Sequence, residues 1–163
     1  MKELQAQGMS RETLHDFTVE YVKILAEVFG WSVKASPGQA RGPDVVIEHS
    51  SGGKVDAVMF VEIEVGHDTG GAARYFGALC SRLEGLVEEY RSRYGDVAFT
   101  VVVVTNAPRR LSNGLRKEAT RREFERRLGF EPVEGRNVFI VPVLLAREVL
   151  PAIFVKALGT REK

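Results

Sequence analysis

Apolar positions recur at two intervals along the chain, and each interval predicts a different element. Steps of three and four residues predict one helix over about residues 10–29 and a longer helix over about 70–94. Gly77 and Gly85 lie inside the second helix, where their lack of a side chain indicates close approach to a sheet. The apolar stripe of the first helix, which we expect to face the core, consists of Leu14, Phe17, Tyr21, Ile24 and Val28.

Shorter apolar runs between these helices predict strands. Residues 31–35 read as a short strand, and residues 44–48 and 55–65 form a hairpin around the turn signal Ser51-Gly52-Gly53. The run over residues 98–104 is apolar at nearly every position, which is typical of a strand covered on both faces.

The last third of the chain predicts a basic helix over about residues 113–128, a strand over 138–145 and a closing helix over 150–158. Pro142 argues for an edge position of that strand, because proline has no N–H to donate to a neighbour. Pro151 fits the first turn of the closing helix. The order of helices and strands predicts an α/β sandwich in which helices flank a central mixed sheet.

Length and composition fit one folded domain. The 163 residues are 44% hydrophobic and 28% charged, so we expect a single domain over 1–163, with a core at about 10–105 and a basic helix, edge strand and closing helix over 106–163. No window approaches the roughly eighteen apolar residues of a membrane helix, and the amino terminus lacks a secretory pattern. The single cysteine, Cys80, forms no internal disulfide, which makes a cytoplasmic setting the default expectation.

The net charge conceals an uneven distribution. The chain carries +1 overall, but residues 1–108 sum to −5 and residues 109–163 sum to +6. Separated charge of this kind gives one surface a field that attracts phosphates, although solvated helices produce the same pattern more often. Arginine outnumbers lysine, and asparagine and glutamine occur three times each, which leans towards a heat-adapted (thermophile) source.

The hairpin brings acidic side chains together. A turn centred on Gly52-Gly53 places Asp44 opposite position 61, and a one-residue adjustment of that turn places it beside Glu62. Strand alternation puts Glu62 and Glu64 on one face of an otherwise apolar strand. Paired acids on a strand usually mark a solvent-facing side, but the flanking apolar residues do not fit a solvated edge.

A divalent cation would remove the cost of placing these carboxylates together. Asp44, Glu62 and the backbone carbonyl of Ile63 offer hard oxygen ligands that suit Mg²⁺ or Mn²⁺. Glu64, next to such a site, would orient or deprotonate a water molecule.

These residues resemble the PD-(D/E)XK, or restriction-endonuclease-like, nuclease superfamily. Pro43-Asp44 is similar to its PD element and Glu62-Ile63-Glu64 to its (D/E)XK element, and the likeness covers about residues 14–105. The layout is nearest to the archaeal Holliday-junction resolvases, whose helix-borne acid corresponds to Glu20, ten residues before Gly30-Trp31. The resemblance implies a restriction-endonuclease-like fold and a metal-dependent phosphodiesterase that acts on DNA as a homodimer.

One departure from the family pattern concerns mechanism. Glu64 stands where the family has lysine, and Lys34 on the preceding strand is either a displaced substitute or an ordinary strand-edge lysine. The leading expectation is a Mg²⁺-dependent endonuclease that hydrolyses DNA, either resolvase-like or of a restriction or repair type. The alternative is a catalytically inactive nuclease-fold module that binds DNA or a protein partner. Nothing in the phosphate-directed core separates DNA from RNA.

Basic and polar side chains supply the candidate contacts with double-stranded or branched DNA. Arg74 shares a line of the second helix with Arg82, and an arginine-rich run follows Arg109. The alternative is a solvated helix with pairs four residues apart, such as Glu118–Arg122 and Glu123–Arg127. The candidate nucleic-acid contacts are Gln39, Arg41, Arg74, Arg116 and Arg121.

Overall fold

The computed structural model describes residues 10–34, 42–66 and 71–162. The helices of these ranges are α1 (Arg11–Val28), α2 (Gly71–Tyr94), α3 (Pro108–Leu115), α4 (Glu118–Leu128) and α5 (Ala146–Glu162). The strands are β1 (Ser32–Val33), β2 (Val45–Ser51), β3 (Lys54–Glu64), β4 (Ala98–Thr105) and β5 (Val138–Pro142). None of the described helices is both long and apolar enough to cross a bilayer.

The strands form one mixed sheet in the order β1-β2-β3-β4-β5. The first three strands pair antiparallel, while β3, β4 and β5 run parallel to one another. The predicted α/β class with a central mixed sheet is therefore confirmed. The edge position of β5 is confirmed as well, and Pro142 ends that strand.

Helices cover both faces of the sheet, and each face has its own apolar core. On one face α1 and α5 pack against inward residues of the strands, including Val61 and Ile63 of β3. On the other face α2, α3 and α4 pack against the alternate residues, including Val58 and Phe60. This double coverage explains why β4 is apolar at nearly every position.

A β-bulge sets the register of the hairpin. The pairing shifts by one residue between His49 and Ser50, so that Val45 lies opposite Val61. Continued by one residue, this register places Asp44 beside Glu62. The one-residue adjustment that the turn required is thus made by a bulge inside β3, at Asp56, rather than by the turn.

The apolar stripe expected to bury α1 is confirmed at Leu14 and wrong at three of its five positions. The residues of α1 that are buried are Leu14, Thr18, Val22, Leu25 and Ala26. Phe17, Ile24 and Val28 are instead 56%, 60% and 73% exposed. The physical reason is that α1 has apolar residues on two sides, and the sheet takes the side with the smaller aliphatic side chains.

The glycines of α2 do not mark the close contact that their positions suggested. A Cβ added at Gly77 or Gly85 would meet no atom within 4 Å. The close approach occurs at Gly114 of α3, where a Cβ would lie 2.3 Å from the Cβ of Ala72. The expectation for Gly77 and Gly85 is therefore wrong, and α2 meets α3 rather than the sheet at its narrowest point.

The expected basic helix is two helices, because α3 ends at Leu115 and α4 begins at Glu118. Gly129 ends α4 with a φ of 79°, a left-handed conformation that favours glycine. The stretch after Pro142 is a short 3₁₀ turn rather than strand.

The closing helix begins earlier than its sequence suggested, so that Pro151 lies inside α5 instead of in its first turn. Proline has no N–H to donate to the carbonyl four residues back, which here belongs to Arg147. The hydroxyl of Tyr21 donates to that carbonyl at 3.2 Å. A side chain of α1 thus replaces the missing helical hydrogen bond.

Candidate functional site

Acidic side chains collect at one end of the sheet. Asp44 lies directly before β2. Glu62 and Glu64 lie at the carboxyl end of β3. We call this end, formed by the start of β2 and the carboxyl ends of β3 and β4, the site edge. Ligands of α/β sheets generally bind at the carboxyl ends of parallel strands.

Backbone N–H groups donate hydrogen bonds to the carboxylates of Asp44 and Glu62 and keep the two residues together. The N–H of Asp44 donates to Oε2 of Glu62 at 3.0 Å, and the N–H of Ile63 donates to Oδ2 of Asp44 at 2.8 Å. The N–H and C=O of one strand residue point to the same side of the strand, so the Ile63 carbonyl also faces Asp44. The two carboxylates expected from the sequence are therefore neighbours, and the Ile63 carbonyl points to the same side of β3 as Asp44.

His15 of α1 is a member of the site that sequence analysis missed. Its Nε2 lies 3.0 Å from Oδ1 of Asp44, and its Nδ1 lies 3.4 Å from Oδ1 of Asp16. Burial lowers the pKa of His15, but the hydrogen bonds and charges of Asp44 and then Asp16 outweigh it, so that the pKa is raised overall. Asp44 thus favours the protonated form of the imidazole.

Glu62 is the most buried acid of the site, with 5% of its surface exposed. Nη2 of Arg82, on α2, donates to its Oε1. Burial raises the pKa of Glu62 to about 7; Arg82 opposes this rise, and the charge of Asp44 adds to it. One guanidinium is thus not enough to offset the burial of this carboxylate beside a second one.

Glu64 occupies the same face of β3 as Glu62, as strand alternation predicted. Its side chain is partly exposed, and its Oε1 lies 3.7 Å from where a Cβ at Gly66 would stand. It is therefore the acid of β3 that remains accessible to solvent at the site edge.

Tyr75 of α2 contributes a buried hydroxyl to the same region. Within the described ranges that hydroxyl has no hydrogen-bond partner. Burial, and after it the charge of Glu62, raises the pKa of Tyr75, with Glu64 and Asp44 adding to the rise. The hydroxyl therefore stays protonated.

The oxygen donors fit a hard divalent cation as a partial ligand set. Asp44, Glu62 and the Ile63 carbonyl suit Mg²⁺ or Mn²⁺, which commonly take one or two carboxylates and fill the remaining positions with water or phosphate oxygens. In residues 10–34, 42–66 and 71–162, no group of three or more His, Cys, Asp or Glu side chains is placed to hold a metal ion. Any cation here would keep several positions for other ligands.

Glu20 does not join this cluster. It lies on the exposed side of α1, 67% exposed, with its Oε1 3.6 Å from the Nζ of Lys23. The helix position that does reach the site is His15, five residues earlier. Gln39 and Arg41, two of the expected nucleic-acid contacts, lie outside the described residues.

The arginines of α4 have acidic partners. Arg121 is paired with Glu131, and Arg116 lies 3.5 Å from Asn113. The pairs expected from the alternative reading are present, with Arg122 at 2.7 Å from Glu118 and Arg127 at 2.9 Å from Glu123.

Two basic helix starts lie at the site edge. Arg74 is in the first turn of α2, and Arg109 and Arg110 are in the first turn of α3, which follows β4 after two residues. All three side chains are exposed. Besides Arg82, which contacts Glu62, the positive charge of the site edge therefore comes from these turns rather than from α4.

Comparison of the chain with protein-family models, with curated proteins and with solved structures found no match.

Proposed function

We propose that the chain is a Mg²⁺- or Mn²⁺-dependent endonuclease that hydrolyses DNA phosphodiester bonds, on a sandwich of the restriction-endonuclease-like type. The observation that carries the proposal is the adjacency of Asp44 and Glu62 at the site edge. A buried carboxylate whose pKa is raised to about 7 next to another carboxylate is characteristic of a functional site.

Asp44, Glu62 and the Ile63 carbonyl would hold the cation. When bound, it would supply positive charge to a phosphate oxygen and lower the pKa of water. Backbone hydrogen bonds from residues 44 and 63 keep both carboxylates in place on rigid strands, which limits reorganisation during the reaction.

Glu64 would act on the attacking water. Its partly exposed carboxylate lies two residues beyond Glu62 on the same face, and a carboxylate accepts a hydrogen bond or a proton from water. A lysine at this position would stabilise negative charge instead. We therefore assign to Glu64 the orientation and deprotonation of water.

DNA would approach the site edge along the first turns of α2 and α3. Arg74 and Arg109 would contact backbone phosphates, which gives sequence-independent attraction. Cleavage of both strands of a duplex or junction requires two sites, so we propose that two copies of the chain act together. Light scattering measures the mass of this assembly.

Cleavage assays test the proposal directly. Supercoiled plasmid, branched junctions and single strands are incubated with the protein and Mg²⁺ or Mn²⁺, and we expect cleavage that Asp44→Asn and Glu62→Gln abolish. Glu48→Gln is the matched control, because Glu48 is also a buried strand glutamate, but it is bonded to Tyr90, away from the site edge. Cleavage that persists in the Asp44 and Glu62 variants rejects the assignment.

The second candidate is an inactive nuclease-fold module. It is favoured by the contacts of Arg82 with Glu62 and of His15 with Asp44, which supply part of the positive charge that a cation would bring. Calorimetry with millimolar Mn²⁺ separates the two candidates. Heat of binding supports the enzyme, whereas no heat together with retained DNA binding supports the module.

A further inference from the structure

Two partly buried arginines of this protein, Arg82 and Arg127, differ in how their donors are used. Arg127 of α4 makes five hydrogen bonds, to Glu84, Glu123, Ser81 and the Gly77 carbonyl, at 2.7 to 3.2 Å. Its side chain is 17% exposed. Such a saturated guanidinium ties α4 to α2 and has little left for a ligand.

Arg82 is nearly as enclosed, with 26% of its side chain exposed, but within the described residues it makes a single hydrogen bond, from Nη2 to Glu62. A guanidinium carries five N–H donors in a planar fork that matches a phosphate. Arg82 therefore has N–H donors available, within an acidic site, for an additional anionic partner.

The partner that Arg82 has is one that a cation would also need. It donates to Oε1 of Glu62, while Oε2 of the same carboxylate accepts the N–H of Asp44. A cation that reaches Glu62 therefore competes with Arg82 for the same carboxylate. Mutual repulsion between the cation and the guanidinium favours an arrangement in which Arg82 turns away from Glu62.

We propose that Arg82 changes partner during the reaction cycle, pairing with Glu62 in the metal-free protein and with a non-bridging oxygen of the scissile phosphodiester once the cation and DNA are bound. This inference rests on the proposed function and adds a substrate-contacting residue to it. It gives the guanidinium two successive roles, as a stand-in for the cation and then as a phosphate ligand.

The proposal predicts opposite effects of one substitution on two measurements. In Arg82→Gln, Mn²⁺ affinity measured by calorimetry rises several-fold because the competing charge is gone. In the same variant kcat/KM for DNA cleavage falls by about tenfold or more, because a charged hydrogen bond to phosphate is lost. Arg82→Lys, which retains the charge but not the fork, keeps wild-type Mn²⁺ affinity and recovers part of the cleavage.

Arg127→Gln is the matched control, since it removes a partly buried arginine that lies outside the site. We expect it to lower the Tm and to leave Mn²⁺ affinity unchanged. Parallel losses of Mn²⁺ affinity, cleavage and Tm in Arg82→Gln, without recovery in Arg82→Lys, would show that Arg82 is only the structural partner of Glu62.

The wild-type protein separates failure of this inference from failure of the proposed function. A wild type that binds Mn²⁺ and cleaves DNA, beside an Arg82→Gln variant with unchanged kinetics, overturns the inference alone. A wild type that neither binds Mn²⁺ nor cleaves DNA overturns both.

Discussion

At the scale of single residues, Glu62 is the side chain on which the proposed metal site depends. It is buried, it neighbours a second carboxylate, and one guanidinium contacts it. Burying a charge costs several kcal/mol unless partners replace the lost water. A cation, a proton or Arg82 each offsets this cost to a different degree. The pKa of Glu62 and its effect on stability therefore depend on which of them is present.

The raised pKa of Glu62 predicts how stability depends on pH in the absence of metal. Its pKa is about 7 in the folded protein and 4.5 in the unfolded chain, so the folded state binds more protons between these values. The free energy of unfolding should therefore fall as pH rises from 4.5 to 7, by about 3 kcal/mol. Urea denaturation measures the slope, and Glu62→Gln should remove it. An equal slope in wild type and variant contradicts the assignment.

Two tyrosines of α2 predict stability changes of opposite sign. The buried Tyr75 hydroxyl has no hydrogen-bond partner among the described residues, so Tyr75→Phe should raise the free energy of unfolding by about 1 kcal/mol. The Tyr90 hydroxyl donates to Glu48, so Tyr90→Phe should lower it by about 1 to 3 kcal/mol. Chemical denaturation tests both, and a destabilised Tyr75→Phe would mean that its hydroxyl has a partner.

At the scale of elements, local pattern predicted more than tertiary arrangement. The bounds of α1, α2, β3 and β4 follow from apolar period and turn residues within a few positions. The buried side of α1 did not follow, because apolar residues lie on two sides of that helix and only the sheet selects one of them. The prediction that Gly77 and Gly85 of α2 approach the sheet was wrong for the same reason. A glycine in a helix permits a close contact but does not show where that contact occurs.

Glycine substitutions test the helix contacts directly. Gly114→Ala should lower the free energy of unfolding by about 1 to 3 kcal/mol, because its Cβ would lie 2.3 Å from that of Ala72. Gly85→Ala should raise it by about 0.5 to 1 kcal/mol, since alanine favours helix and nothing lies near the new Cβ. Chemical denaturation of both variants gives the comparison, and a stabilised Gly114→Ala would contradict the close approach of α2 and α3.

The candidate site divides in the same way. Asp44 and Glu62 were predictable as neighbours because a single hairpin joins them, and only the position of the one-residue shift was open. His15 and Arg82 were not predictable as their partners, because each comes from a helix whose rotation about its axis depends on packing against the sheet.

At the scale of the whole molecule, the charge distribution is more balanced than the sequence suggested. The four arginines of α4 are paired with glutamates on or beside that helix. The exposed arginines at the site edge, on the first turns of α2 and α3, are fewer but lie beside the acids. Position rather than number of arginines therefore decides where a phosphate backbone would lie.

This distribution predicts which arginines affect DNA binding. Arg74→Gln should weaken DNA binding and reduce the slope of log K against log salt by about 0.9, the contribution of one phosphate contact. Arg122→Gln, whose side chain is paired with Glu118, should leave the slope unchanged. Fluorescence anisotropy in Ca²⁺ at several salt concentrations measures both, and equal effects would contradict a binding surface at the site edge.

The central claim, that Asp44 and Glu62 share a divalent cation, is tested most directly by a crystal soaked in Mn²⁺. We expect an anomalous peak in contact with both carboxylates and with the Ile63 carbonyl. We also expect that the Arg82 guanidinium no longer contacts Glu62. A site without a peak at millimolar Mn²⁺, in which Arg82 still contacts Glu62, would contradict it.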